Sequence, residues 1–571
     1  MRIPHVADRP AVFIAAAVLL LAVMFTAMYS SARRENVTWD EAGHIPHGYV
    51  IDKMGNYWFD QVHAALPRML AGAPLLAVDP RIPTEHVSWR TYDFFTFRHI
   101  FLFRNRVKPD RMVMLGRLPT MLCALLLGLV LALWTRRRFG SAAGLLALAF
   151  YALDPNFLAH GHYATTDLYT AAAFFFAVIA WERYLRSLRG LDLVLAGLLT
   201  GVAFATKHSL LFLLVVLPVL YCLGWWREPR RYSARRLLGS MLVVALLGAA
   251  VVALVYLPVT EDALAQHLMM RDHVADGPGV QRLFHAAATM LPIPYHPYIM
   301  GFYWLAKTAE NGLPSYLLGH VSTGGWWYFF PVVLAVKSPT GLLIALALAT
   351  GTAIGILARR DPSYRPRSLP FAWLVVTVTP LLYLTACLFS PLNEGIRHAL
   401  PAYPFLYAFA AAMLTRSISR ATVRKARNAA LAVVLGLLVL ESAIAYPHYL
   451  AFFNLPAGGS ANGIDYVVNS NLDWGQDLKN LKVYLDSQGI DQVCLAYFGT
   501  ADPDYYGIRH RELPAALGPG QQPPDCVAAV SATYLVGLYA PPGGYSWLRG
   551  LDPMKRVGDS IYVYDLRKRR R

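Results

Sequence analysis

About eleven long apolar runs punctuate this chain, and their length constrains the fold more than any other feature. They centre on residues 11–30, 112–134, 141–157, 168–181, 191–206, 209–225, 237–258, 327–357, 369–389, 399–415 and 428–446. Runs of roughly 18 to 25 apolar residues are what a helix needs to cross a bilayer. Composition agrees: 56% of the 571 residues are hydrophobic, only 15% are charged, and the mean hydropathy is +0.39. Soluble domains carry about 25% charged residues. The chain therefore reads as an α-helical polytopic membrane protein with about 11 transmembrane helices.

The net charge of +17 invites a nucleic-acid reading, but its distribution argues against one. Arg136 to Arg138, Arg183 to Arg189, Arg227 to Arg236, Arg359 to Arg367 and Arg416 to Arg427 mark short breaks between runs. They fall on alternate breaks, as expected when basic loops stay on the cytoplasmic side. The N-terminus is then cytoplasmic and the C-terminus outside. Arg2, Arg9 and the small residues near Ser30 and Ala32 fit a signal peptide, but the apolar stretch is long for one, so an uncleaved anchor is expected. Runs 191–206 and 209–225 are separated only by Lys207 and His208 and read as a tight helical hairpin.

Three segments fall outside. Residues 31–110 mix aromatic and charged residues (Tyr57-Trp58-Phe59-Asp60, Trp89-Arg90-Thr91-Tyr92), a pattern of interfacial amphipathic helices. Residues 259–326 contain Pro292, Pro294 and Pro297 and end on the aromatic belt Trp326-Trp327-Tyr328. Residues 1–446 form the transmembrane module, and 447–571 have soluble composition. In that tail, 475–488 read as helix and 492–498, 526–530 and 560–565 as strands, giving a small C-terminal α/β domain with a disordered basic end at Arg567–Arg571. No internal repeat is visible. Cys123, Cys222 and Cys387 lie in apolar runs and read as core residues. Cys494 and Cys526 have the option of a disulfide if the tail is outside; their spacing leaves that open.

The chemistry concentrates at the outer ends of the runs. Asp40 and Glu41 follow the first run directly, in Thr38-Trp39-Asp40-Glu41. Thr38-x-x-Glu41 fits a capping box, so Glu41 has a structural reading beside a functional one, whereas Asp40 is placed for proton chemistry. His63 and Arg68, in Asp60-Gln61-Val62-His63-Ala64-Ala65-Leu66-Pro67-Arg68, are donors suited to a phosphate, or members of a solvated helix face. His160-Gly161-His162 and Asp167 lie between two runs on the same side; Asp167 is either a helix cap or a site carboxylate. A His-x-His pair alone, without cysteine or a second spaced pair, does not favour zinc. Lys337 sits within an apolar run, Asn393-Glu394-Gly395-Ile396-Arg397-His398 at the outer end of another, and Lys207 between two more. Basic groups at membrane depth need partners and are site candidates; snorkelling is the bland alternative. Asn393 and His398 join them as candidates.

Together these motifs resemble the polyprenyl-phosphate-dependent glycosyltransferases of the GT-C fold, in particular the protein O-mannosyltransferase family and the aminoarabinose lipid A transferases. The resemblance runs through Asp40-Glu41, the His63 segment, Ala164-Thr165-Thr166-Asp167-Leu168, Lys337-Ser338-Pro339 and Gly395-Ile396-Arg397-His398-Ala399-Leu400-Pro401. It continues in Tyr446 to Asn454 and in Asn471-Leu472-Asp473-Trp474-Gly475-Gln476-Asp477-Leu478. Relatives often carry His-Pro-Pro where this chain has His63-Ala64-Ala65. The resemblance implies a membrane glycosyltransferase of the inner (plasma) membrane that takes a sugar from a polyprenyl-phosphate donor, undecaprenyl phosphate in a bacterium, and passes it with inversion to an extracytoplasmic hydroxyl. It implies Asp40 as general base, Glu41 and Asp167 as orienting carboxylates, and His63, Arg68, Lys337 and Arg397 around the donor phosphate. A monophosphate carries less charge than a diphosphate, so no cofactor is required and a divalent metal is not favoured. Protein, glycolipid and wall polymer are the acceptor options. A flippase of lipid-linked sugars and a non-catalytic envelope scaffold are the competing readings.

Overall fold

The computed structural model describes residues 9–57, 59, 62–259, 290, 293–358, 370–416, 421–518 and 521–567. Trp58, Asp60, Gln61, Pro292, most of the second outer segment, the arginines between 359 and 367, Arg420 and the last four residues of the basic tail lie outside the described residues.

The first apolar run is helix α1 (Pro10–Arg34). Helices α2 (Glu41–Met54), α3 (Ala65–Gly72), α4 (Val87–Arg90) and α5 (Phe94–Phe103) occupy the segment 31–110. Burial of α2 is continuous from Glu41 to Ile51, because α3, α5 and α6 (Pro109–Phe139) pack around it. Its crossing with α3 depends on two glycines. A Cβ on Gly48 would stand 1.8 Å from the Arg68 carbonyl oxygen, and one on Gly72 would stand 2.2 Å from the Gly48 carbonyl carbon. No side chain fits between the two backbones.

The bundle continues through α7 (Ser141–Ala152), α8 (Pro155–His160), α9 (Thr166–Ser187), α10 (Gly190–Thr206), α11 (Leu213–Arg227) and α12 (Ala234–Tyr256). Helix α12 illustrates how sequence sets orientation. Leu238, Leu242 and Leu246 recur every four residues and are exposed, as a lipid-facing stripe would be. Ser240, Val244, Gly248 and Val252 recur likewise and are buried. These small residues let α10 approach closely, with the Gly201 and Gly248 backbones meeting. The expected hairpin at 191–225 takes another form. Lys207 is extended (φ −157°, ψ 133°), a short 3-10 turn spans His208–Phe212, and α10 packs against α9 and α12 while α11 packs against α9.

Helix α13 (His296–Asn311) and the two-stranded ribbon β1 (Ser315–Leu317) and β2 (His320–Ser322) precede the second half of the bundle. The run at 327–357 is two helices, α14 (Phe329–Lys337) and α15 (Thr340–Ala358). Pro339 lacks an amide proton and drives Ser338 into extended geometry (ψ 136°), which breaks the run. The new helix start is capped from a distance: the Thr340 amide donates to Glu441 at 2.7 Å. Helices α16 (Phe371–Leu388), α17 (Tyr403–Leu414) and α18 (Ala421–Ala445) complete the bundle. Among the described residues, seven helices are long and apolar enough to cross a membrane: α1, α6, α11 with its 3-10 turn, α12, α15, α16 and α18. Helices α7, α10 and α17 are shorter apolar elements at three of the other expected spans, and α9 stands at the fourth.

The tail adds α19 (Gly463–Tyr466), α20 (Leu478–Ser487) and α21 (Ala532–Leu535) and a five-stranded mixed sheet. Its strands are β3 (Val493–Ala496), β4 (His510–Glu512), β5 (Val527–Ser531), β6 (Lys555–Val557) and β7 (Ile561–Asp565), in the order β4-β3-β5-β7-β6. Strand β3 runs parallel to β4 and β5; β7 runs antiparallel to β5 and β6. Cys494 and Cys526 form a disulfide with Cα atoms 6.2 Å apart. The fold is a mostly helical, multi-pass membrane protein with a small C-terminal sheet domain.

Candidate active site

Asp40 lies immediately before α2, and its carboxylate meets Arg397, which lies just before α17. Arg397 Nη1 donates to Asp40 Oδ2 at 2.7 Å and stands 3.6 Å from Asp167 Oδ2, while Nη2 donates to Glu394 Oε2 at 3.0 Å. Lys207 Nζ donates to Asp167 Oδ1 at 2.9 Å. His398 Nε2 is 3.4 Å from Glu394. Three carboxylates and two cations thus converge from four distant segments. Asp167 is buried, whereas the side chains of Asp40, Glu394 and Lys207 keep 17%, 21% and 23% exposure, so the cluster has an open side.

Electrostatics keep Arg397 and Glu394 ionised. Burial would lower the Arg397 guanidinium, but Glu394, Asp40 and Asp167 outweigh it and hold the group protonated. Burial would likewise raise Glu394; Arg397 and His398 reverse that and bring it to about 2. Burial and Lys207 push His398 down, favouring a neutral imidazole. The Arg397 guanidinium also lies 4.7 Å over the Trp474 ring, and its buried Nε has no hydrogen-bond partner among the described residues.

One side of Arg397 opens into a cavity of about 180 Å³. Its lining includes the polar side chains of Lys207, Arg397 and His398 and the rings of Phe212, Phe330 and Tyr383.

Glu41 has a different environment from its neighbour. Its carboxylate accepts from Arg117 Nε and Nη2, both at 2.8 Å, from the Ala164 amide at 2.9 Å, and from the Thr38 amide and hydroxyl at 3.0 Å. Burial raises it, but Arg117 and these donors hold it below the usual carboxylate range. This saturated group fixes the turn that presents Asp40. Lys337 is also occupied: its ammonium donates to the carbonyls of Leu450 at 2.9 Å and Asn471 at 2.7 Å. Asn471 in turn accepts the Ile396 amide on Oδ1 at 3.0 Å, one residue from Arg397. Gly395 makes this approach feasible, with φ at +152° and no room for a Cβ beside Asn471. His162 pairs with Glu35 at 2.8 Å inside the bundle. Asn393 accepts the Trp326 amide at 2.6 Å and anchors a loop. Arg68 is buried in the α2–α3 layer, donating to the His63 carbonyl at 2.6 Å, and the His63 ring packs edge-on to His44.

The structure therefore unites Asp40, Asp167, Lys207, Arg397 and His398, and sets Glu41, His162, Lys337 and Asn393 on supporting contacts. Glu394, Trp474, Asn471 and Arg117 were not singled out in the sequence. Glu394, Asn471 and Trp474 do stand inside the quoted motifs Asn393 to His398 and Asn471 to Leu478, which were the signal available for them. Among the described residues, no group of three or more His, Cys, Asp or Glu side chains is arranged to hold a metal ion.

The tail builds part of this site. Trp39 N–H donates to the Trp474 carbonyl at 3.0 Å, Asn36 N–H to Gln476 at 3.1 Å, and Asn36 Oδ1 accepts the Leu478 amide at 2.7 Å. The strand-like segment before Asp40 is thus pinned to the motif that carries Trp474.

Residues 112–259 match the family model for Dolichyl-phosphate-mannose-protein mannosyltransferase. The mannosyltransferase match extends from α6 to the end of α12 and contains Arg117, Asp167 and Lys207. It agrees with the resemblance carried by the sequence motifs. Crystal structures of ArnT from Cupriavidus metallidurans are similar in chain path. The form bound to undecaprenyl phosphate is 13% identical, covering 96% of this chain and 97% of its own, with a TM-score of 0.45. The apo form is 14% identical over the same shares, with a TM-score of 0.44. AglB from Archaeoglobus fulgidus, in complex with an inhibitory peptide and a dolichol-phosphate, is 14% identical, covering 74% of this chain and 56% of its own, with a TM-score of 0.41. No curated protein matches this chain.

Proposed function

We propose that this protein is a membrane glycosyltransferase that moves a sugar from a polyprenyl-phosphate donor to an acceptor hydroxyl. The observation that carries this reading is the shared position of Arg397, which lines the cavity together with Lys207 and also pairs with Asp40. A lipid phosphate needs cations next to an apolar lane, and Lys207 and Arg397 beside Phe212, Phe330 and Tyr383 supply both. The mannosyltransferase match over 112–259 supports the same chemistry.

In this reading Asp40 takes the proton of the acceptor hydroxyl as the oxygen attacks the anomeric carbon. The bond from that carbon to the phosphate oxygen breaks, and the configuration inverts. The negative charge on the departing lipid phosphate is met by Arg397 and Lys207, an electrostatic contribution that often dominates such steps. Arrival of the phosphate draws Arg397 from Asp40 and frees the carboxylate as a base. Asp167 holds Lys207 and Arg397 in register, and Glu41, Asn471 and Lys337 position the loops. His63 and Arg68, in the α2–α3 layer, remain candidates for a more distant contact with the lipid headgroup. The protein would act in the inner (plasma) membrane with its N-terminus in the cytoplasm and residues 447–571 outside. Undecaprenyl phosphate is the donor lipid expected in a bacterium, and no metal is needed to neutralise a single phosphate.

The test is transfer from radiolabelled polyprenyl-phosphate sugars to membrane extract by the purified protein and its Asp40→Asn variant. Label passing to an acceptor only with the wild type supports the reading. Equal transfer by both, or none from any donor by folded wild type, overturns it.

A further inference from the structure

The motif that carries Asp40 also begins a stack of aromatic rings that ends in the tail domain. Trp39 lies parallel to Phe498, with centroids 5.1 Å apart and planes 4° apart. Phe498 lies parallel to Tyr539, at 5.6 Å and 5°. Arg98 covers Trp39 at 4.8 Å, and Phe498 is buried between its two neighbours. Tyr539 ends the stack with 42% of its surface exposed. It takes up the left-handed backbone region, φ +57°, where a bulky residue is rare. Its hydroxyl donates to the Pro314 carbonyl at 3.3 Å. The stack leads from Trp39, the neighbour of Asp40, to Tyr539, whose phenol is within electrostatic reach of Glu394, Arg397 and Asp40.

We propose that Tyr539 is the stacking platform for the sugar ring of a neutral glycan acceptor, so that the accepting hydroxyl belongs to a carbohydrate and not to a Ser or Thr side chain. This rests on the glycosyltransferase reading above. An aromatic face is electronegative and attracts the C–H-rich face of a pyranose. The partly exposed carboxylates of Asp40 and Glu394 accept hydrogen bonds from ring hydroxyls. Three carboxylates against two cations disfavour a polyanionic acceptor. A peptide seeks backbone donors and acceptors, whereas the partly exposed groups here are a ring, two carboxylates and the Lys207 ammonium.

The experiment uses the full-length protein in lipid nanodiscs, with mannotetraose and a peptide of alternating Ala, Ser and Thr as probes and saturation-transfer NMR as the binding readout. Tyr539→Gly removes the ring and suits the left-handed backbone, so the fold is retained; Tyr539→Phe keeps the ring. Mannotetraose binding that weakens about tenfold in Tyr539→Gly and stays within about twofold in Tyr539→Phe is the expected result. Equal binding to wild type and Tyr539→Gly, no tetrasaccharide binding to wild type, or Tyr539-dependent binding of the peptide alone would overturn it. A parallel transfer assay from lipid-phosphate sugar separates the two proposals. Tyr539-dependent glycan binding without transfer from any donor supports the ring as a carbohydrate-binding platform but defeats the glycosyltransferase reading, and with it the acceptor role. Transfer with an unchanged acceptor KM in Tyr539→Gly defeats the platform alone.

Discussion

Asp40 and Arg397 form a 2.7 Å ion pair across 357 positions of sequence. The pair joins the loop after the first membrane helix to the loop before α17. Arg397 serves three carboxylates with one planar fork, which an ammonium does not reproduce. We expect Asp40→Asn to lower the transfer rate by about 10² to 10⁴. Arg397→Lys should keep the charge, lose the geometry and raise the donor KM. Steady-state kinetics on both variants check this; near-wild-type rates for Asp40→Asn would remove it as base.

Glu41 and Arg117 should govern stability. Removing one partner of a buried, doubly bonded pair leaves an uncompensated charge and costs about 3–5 kcal/mol. Arg117→Ala is therefore expected to unfold at markedly lower temperature. The pH dependence follows from the lowered Glu41 carboxyl: its contribution is present above the unfolded-state value of about 4.3 and disappears as the pH falls through the lower folded value. Thermal melts between pH 7 and pH 3 should drop in the wild type at the acid end, and drop less in a Glu41→Gln variant.

Gly72→Ala gives a test by sign. Inside an ordinary helix this change stabilises by up to about 1 kcal/mol. Here the added Cβ would meet backbone atoms of Gly48 and Tyr49 at 2.2 Å, so the variant should lose stability. A raised melting temperature would contradict the close crossing of α2 and α3.

His448 faces Asp477 at 3.5 Å at the junction of bundle and tail. Burial alone would lower the imidazole, but Asp477 outweighs it and brings it to about 9. A raised histidine stabilises fully below the unfolded value of about 6.5, and that contribution is lost as the pH rises through the folded value. Wild-type melting temperature should therefore fall between pH 6.5 and pH 9, and His448→Gln should flatten that slope.

The helical runs and the charged motifs at their ends were legible because each follows from local pattern. Asp40, Asp167 and Arg397 were readable for the same reason: charge beside a membrane span is costly without a use. Lys337 met that criterion too, yet backbone carbonyls of Leu450 and Asn471 satisfy it, a partnership that spacing does not encode. Arg117 lies inside an apolar run and gains its meaning from Glu41, 76 positions away, and from the carbonyls of Ala32 and Asn36. Strands β4 and β6 have three residues each, too short for alternation to register, and they appear only because β3 and β7 recruit them.

Asn471 and Trp474 hold the Gly395–Arg397 loop from the C-terminal side. During synthesis every membrane helix is made before these residues leave the ribosome. A nascent chain halted after α18 would have its spans inserted and its acids and bases present, yet the arginine loop would lack its support. The last quarter of the polypeptide thus has to be in place before Arg397 takes up the position described above.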